Sequence, residues 1–223
     1  MQLDFSIMIK YLPYLYRATI VTIQVTAVSL ILGILISIPL SLIKLSRFKV
    51  LQLLGSFYTS IFRGVPLLVQ IFMVYFGLPQ LFPALKALSN FQLGCITFAL
   101  NSAAYISESL RGGIQAVDIG QKEAAIALGI PYGKTMKDII FPQAIKSVLP
   151  SLVNEFIGLM KNTTLISTIG VVELLRSGQM IVSDTYRAFE PYAVISIYYY
   201  ILVMVLSLIG KWIERRVNKS DKR

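Results

Sequence analysis

Residues 129–135 read GIPYGKT, close to the loop with which many proteins cradle nucleotide phosphates. That chemistry needs G-x-x-x-x-G-K-[ST], so that successive backbone N–H groups wrap the phosphates and the lysine neutralises them. Here Gly129 stands one residue too close to Gly133-Lys134-Thr135, and Leu128 occupies the place of the first glycine. The spacing rules out this loop as a nucleotide site, and no complete version occurs elsewhere in the chain. The chain also has no histidine, which removes the commonest metal ligand and general base. A zinc site and a Ser–His triad are therefore excluded, and neither a metal site nor a cofactor of its own is expected.

The other candidates are polar groups inside apolar stretches. A charge at the bilayer centre costs about 3 kcal/mol on insertion scales, so an ionisable residue there marks a functional position by default. Ser151, Glu155, Gly158 and Asn162 fall at i, i+4, i+7 and i+11, one stripe along a helix. Lys161 follows Glu155 by six residues, about 120° around the helix. Glu155 and Lys161 are suited to the ammonium and carboxylate of an amino acid; the alternatives are pairing with neighbouring helices, or Lys161 reaching for the membrane surface. Asn101, Tyr105, Glu108 and Gly112 form a second such stripe. Asn101 and Tyr105 lie deep enough to line a pathway, whereas Glu108 is a pathway candidate that also stands where an interfacial pair with Arg111 would form. Gln70 is a further pathway candidate.

The elements that position these residues follow from composition. Hydrophobic residues make up 56% of the 223-residue chain and charged residues 14%, with a mean hydropathy of +0.71. A soluble chain is about 45–50% apolar, so this is expected to be an all-α membrane protein. Crossing a hydrocarbon core of about 30 Å takes roughly 20 helical residues. Uncharged stretches run from Ala18 to Ile43, Gly64 to Leu85, Ala87 to Ser107 and Pro191 to Gly210, and a shorter one from Ser147 to Met160 is interrupted only by Glu155. The last could extend irregularly through Asn162 to Val172. Five transmembrane helices are expected, with RGVP (63–66) ending one helix and starting the next. The first stretch is too long for the core of a signal peptide. Cys95 is the sole cysteine, so no intrachain disulfide can form.

The net charge of +10 reads as a topology signal rather than nucleic-acid binding. With the N-terminus outside, 15 of the 21 basic residues fall on the cytoplasmic side, as the positive-inside rule asks. They include Lys44, Arg47, Lys49 and Arg63, the segment from Arg111 to Lys146, and the tail from Lys211 through Lys219, Lys222 and Arg223. The expected divisions are an extracytoplasmic segment 1–18, a membrane domain 19–210 and a basic cytoplasmic tail 211–223.

The segment 111–146 carries two short helical patterns. Asp118 can cap the first, Gly129 can end it in a left-handed turn, Pro131 can start the second, and Pro142 is expected to stop it. Its spacing is Glu123-Ala124-Ala125, three residues, Gly129, nine residues, Ile139, one residue, then Phe141-Pro142. This resembles the EAA loop of bacterial ABC-importer permeases, departing from it at Phe141, where Leu is usual. FRGVPLLVQ (62–70), NSAAYISESLRGGI (101–114) and KNTTLISTIGVVEL (161–174) resemble the permeases for polar amino acids.

The resemblance implies a type I ABC importer permease fold and a non-enzymatic subunit in the bacterial inner membrane, its C-terminus cytoplasmic. It also implies that Glu123, Ala124, Ala125, Gly129, Ile139 and Pro142 belong to a coupling loop that docks on a separate ATP-binding subunit. The further partners implied are a second permease subunit (a copy or a paralogue) and an extracytoplasmic solute-binding protein delivering the amino acid. The alternatives are a permease for methionine or another small organic solute, and a channel or membrane scaffold that uses the loop only as an interaction surface.

Overall fold

The structure, a computed structural model, describes residues 3–218 and the side chains of 3–217. The tail residues Lys219, Lys222 and Arg223 lie outside the described residues. A 3-10 turn, Phe5–Tyr11, is capped by Asp4, whose carboxylate accepts from the Ser6 N–H. Helix α1 follows, Leu12–Lys44, with a proline in its first turn, where no N–H is missed; it therefore begins ahead of the apolar stretch at 18. Helix α2 spans Lys49–Gly64, and α3, Leu67–Leu81, leaves it at 106°. The RGVP segment thus breaks the chain as its sequence suggests. Helix α4, Asn90–Ala116, starts with a capping box made by Ser89 and Gln92. Then come α5 (Ile119–Ala127), α6 (Tyr132–Ile169), α7 (Leu174–Thr185), which is bent 50° from α6, and α8 (Phe189–Asn218). No strand occurs among the described residues.

Pro142 does not stop the second helix of the loop, contrary to expectation. Residues Thr135–Ile140 form a π-helical turn, and α-helix resumes at Phe141 with Pro142 at its start. A proline inside a helix removes one N–H and clashes with the carbonyl four residues back. The wider turn supplies the slack, so the coupling segment and the span containing Glu155 are one helix. Phe5–Lys44 and Phe189–Val217 are long and apolar enough to cross a membrane, and up to four spans result if each bent pair is one. Helix α4, the remaining expected span, is 27 residues long but is not among the segments apolar enough to be counted. Its Asn101, Ser102, Ser107 and Glu108 hold its hydropathy down.

Packing of α1 on α4 sets the centre. A buried stripe of small and hydroxyl residues, Thr22, Thr26, Ser29, Gly33, Ser37 and Ser41, runs along α1; its Gly33 meets α4, and its Thr22 accepts from the Leu174 N–H at the start of α7 at 3.2 Å. A Cβ on Gly33 would lie 3.1 Å from the Ser102 Cβ. Lipid tails are as apolar as leucine, so helices in a bilayer gain by close approach through small residues rather than by hydrophobic burial. Four of these hydroxyls donate within their own helix, Thr26 to the Thr22 carbonyl at 2.7 Å and Ser41 to that of Ile38 at 2.7 Å among them, whereas the buried Ser29 hydroxyl has no hydrogen-bond partner among the described residues. Phe98, Val25, Ile71, Cys95, Leu159 and Ile166 form an apolar cluster beside this seam. On α8, Ile197, Tyr200, Ile201, Val205 and Leu208 are exposed, the surface a bilayer would cover.

The contacts fix the helix directions. Gly33 faces Ser102 and Lys44 pairs with Glu108, so α1 and α4 run parallel. Ser102 bonds Glu155 and Gly113 abuts Val148, so α6 runs back. Gly210 meets Val153 and Tyr199 meets Thr163, so α8 runs parallel to α1. The EAA loop, Lys44 and the far end of α8 therefore share one end of the bundle. At the other end the N-terminal segment is tied to the α7–α8 connection: the Asp4 N–H donates to Glu190 at 3.0 Å, Tyr11 bonds Asp184 and Arg187 pairs with Glu190. The Ser6 hydroxyl and N–H hold the Asp4 carboxyl below the ordinary carboxylate range.

This arrangement puts residues 47 and 86 at opposite ends. Cysteines introduced at Arg47 and Lys86 should react with a membrane-impermeant thiol reagent from opposite sides of the membrane, while the native Cys95, being buried, stays silent. Labelling of both from one side would contradict the helix directions.

Candidate functional site

The break between α2 and α3 opens a cavity of about 370 Å³ against α4 and α6. Its wall is Arg63, Gly64, Val65, Pro66 and Leu67 from the break, Asn101 and Tyr105 from α4, and Glu155, Gly158, Leu159 and Asn162 from α6. Four of the residues selected from sequence thus meet in one place: Asn101, Tyr105, Glu155 and Asn162. The helical spacings of both stripes, i to i+4 on α4 and i to i+7 on α6, deliver them. Ser102 donates to one Glu155 oxygen at 2.7 Å, which orients the carboxylate and leaves its second oxygen as an acceptor.

Gln70 sits behind the cavity rather than on it. Its side-chain N–H₂ donates to the Phe62 carbonyl at 2.9 Å and the Val65 carbonyl at 2.8 Å. Asn101 also donates to the Phe62 carbonyl, at 2.9 Å, and to the Gln70 oxygen at 3.1 Å. A helix end leaves carbonyls without partners, and in a membrane they must be met by protein. Gln70 and Asn101 do this, so both position the break. With its donors so committed, Asn101 offers a ligand only its amide oxygen.

Glu108 and Lys161 stand apart from the cavity. The Glu108 carboxylate is taken up by Lys44 and Arg111, and Lys161 is exposed. Sequence reasoning missed Arg63 as a cavity residue, because it was counted only as a topology charge. Its guanidinium lies 5.4 Å from the Tyr105 ring centroid, within cation–π range. The signal was the RGVP break, which places the last residues of a helix beside a turn. Glu173 was missed as well. It is fully buried and caps α7, accepting from the N–H groups of Leu175 and Arg176 at 2.7 Å each and from the Tyr199 hydroxyl at 2.9 Å. A carboxylate ahead of LLRSGQ is a sequence-level cap signal.

The loop is built as expected at three of its four marks. Asp118 caps α5 through the Gly120 N–H at 2.6 Å. Gly129 has φ +68°. The Gly129 N–H donates to the Ile126 carbonyl at 2.9 Å and the Ile130 N–H to that of Ala125 at 2.9 Å, a Schellman closure. Pro131 precedes the first residue of α6. Ala125 is buried against the segment that follows, while Glu123 and Ala124 are exposed. Around them Ile119 (71%), Ile126 (65%), Leu128 (77%) and Tyr132 (66%) are also exposed. Large exposed apolar side chains are found where proteins meet partners. Ile139 and Pro142 lie at and after the π-turn, a part of the helix that continues to Glu155.

These features agree with comparisons to known proteins. The family described as binding-protein-dependent transport system inner membrane component matches residues 29–219. The arginine transport system permease protein ArtQ of Bacillus subtilis is 43% identical over 221 residues, 99% of this chain and 100% of that protein. The putative glutamine transport system permease protein GlnP of Rickettsia felis is 44% identical over 216 residues, 96% of this chain and 98% of its own length. A crystal structure of an amino acid ABC transporter with histidines superposes with a TM-score of 0.90 at 40% identity, covering 97% of this chain and 100% of that one. An inward-facing methionine ABC transporter shares the fold, with a TM-score of 0.81 at 20% identity over 93% of this chain and 98% of that one. With a loop that ends in a left-handed glycine turn, a helix break that opens a polar cavity, and relatives matching end to end, the chain belongs to the family of binding-protein-dependent transport system inner membrane components.

Proposed function

We propose that this chain is the permease subunit of an ATP-driven importer for a polar amino acid, and that the cavity at the α2–α3 break is its substrate pathway. The observation that carries this is the meeting of Glu155 and Arg63 on one wall. A carboxylate and a guanidinium in one cavity suit the ammonium and carboxylate of a zwitterion. Charge-assisted bonds are roughly twice as strong as neutral ones. The amide oxygen of Asn101, the Tyr105 hydroxyl and the Asn162 amide add neutral partners, and the volume accommodates one amino acid. Arginine and glutamine are the substrates named for the close relatives, and both carry the backbone charges that this wall would read.

Transport would follow alternating access. ATP closes two ATP-binding subunits docked on the EAA loops of this chain and of a second permease subunit, a copy or a paralogue. Each loop passes the movement along α6 to Glu155 and along α4 to Asn101, and the cavity changes sides. A solute-binding protein supplies substrate at the end formed by Phe5–Tyr11 and the α7–α8 connection. The EAA loop and the C-terminus are cytoplasmic and the N-terminus is outside, in the bacterial inner membrane. The chain contributes no covalent chemistry.

Two measurements test this reading. Gly129 has open space around its missing Cβ, so only its backbone opposes substitution. Gly129→Val should break the link between ATP hydrolysis and uptake in the assembled complex, because a β-branched residue resists a left-handed φ, while Gly129→Asn, which tolerates that conformation, should retain most activity. Equal uptake by both variants would make the turn incidental. Glu155→Gln keeps size but loses one charge-assisted bond, a loss of about 1.5–3 kcal/mol or roughly ten- to hundredfold in affinity at the membrane site. Unchanged substrate-stimulated ATPase activity in proteoliposomes would remove Glu155 from the pathway.

A further inference from the structure

A second group of charges lies one helical turn beyond the cavity and has no part in it. Lys44, the last residue of α1, donates to a Glu108 oxygen on α4 and, at 3.1 Å, to the Thr59 hydroxyl on α2. Its side chain is 4% exposed and that of Glu108 22%. The other Glu108 oxygen accepts from Arg111 at 2.9 and 3.0 Å, and Arg111 reaches on to Gln115 at 2.8 Å. Helix α2 is shaped for this contact: a Cβ on Gly55 would stand 2.5 Å from the Lys44 Cγ. Only a glycine there lets the lysine stem pass beneath α2 to Thr59.

Burying two charges to join three helices is not an efficient source of stability, since apolar groups of the same volume do as well or better. What such a pair supplies is a fixed relative position. Thr59 stands four residues before Arg63, and Glu108 three residues after Tyr105 and ten before Asp118. The group therefore holds two of the elements that form the cavity wall, α2 and α4, at the point where α4 continues towards the EAA loop. We propose that Lys44 and Glu108, with Gly55 as their seat, are positioning residues that make α2 and α4 move as one body, so that movement of the loop is transmitted to the Arg63 side of the cavity. This inference rests on the import reading above.

The test uses the complete importer, with its ATP-binding subunit and binding protein, in proteoliposomes. The ratio of substrate-stimulated to basal ATPase activity is read together with uptake per ATP. Lys44→Met should assemble and keep basal hydrolysis within twofold, while stimulation and uptake per ATP fall at least fivefold. Adding Glu108→Gln to it should lower the ratio no further, because residues acting as one unit are not additive. Gly55→Ala keeps every charge but displaces the lysine stem, and should reduce coupling in the same direction; it decides the matter should Lys44→Met fail to assemble. A coupling ratio within twofold of the parent in Lys44→Met, or in Gly55→Ala if only that variant assembles, overturns the proposal. If substrate fails to stimulate even the parent complex, the import reading falls and this inference with it; stimulation of parent and variants alike removes the inference alone.

Discussion

The structure depends on one constraint: a helix that breaks within a membrane must have its freed carbonyls met by protein. At residues 62–67 the chain turns by 106°, and the Phe62 and Val65 carbonyls are taken by the side chains of Gln70 and Asn101. Pro66 makes a straight helix costly here, and without those amides the break would leave unpaired polar groups at about 1–3 kcal/mol each. A straight helix has no cavity. The cavity and the place of Arg63 on its wall go with this bend, set by Pro66 and held by two amide side chains.

Two continuous helices link that cavity to the EAA loop. Helix α4 carries Asn101 and Tyr105 and ends just before Asp118, the cap of α5. Helix α6 begins just after the Gly129 turn and reaches Glu155 and Asn162. The π-turn at Thr135–Ile140 lets it do so despite Pro142. A π-turn is a local widening with weaker geometry than α-helix, placed here between the EAA loop and the part of the same helix that carries Glu155.

The loop was legible in the sequence because its determinants are local. A carboxylate cap, a left-handed glycine and a proline at a helix start each act within a few residues, and all three behave as read. Pro142 was misread because a local rule met a non-local alternative: the helix widened instead of ending. The polar stripes gave Asn101, Tyr105, Glu155 and Asn162 because helical periodicity survives folding. Glu108 shares that periodicity and pairs with Arg111 as its spacing suggests, yet its other partner is Lys44, 64 residues away, and no spacing rule predicts a pair across two helices. Arg63 was invisible as a cavity residue for the same reason. Its place depends on a bend held by Gln70 and Asn101 together.

In the proposed import cycle, the cavity lined by Glu155, Arg63 and Asn162 changes the side to which it opens as the ATP-binding partners close. The most direct measurement is the accessibility of a cysteine at Asn162, in the assembled complex in oriented membranes, to an impermeant thiol reagent applied from each side, with and without trapped ATP. Labelling is expected from the EAA-loop side without nucleotide and from the opposite side with ATP trapped. Labelling confined to one side in both states, or from both sides at once, would contradict that cycle.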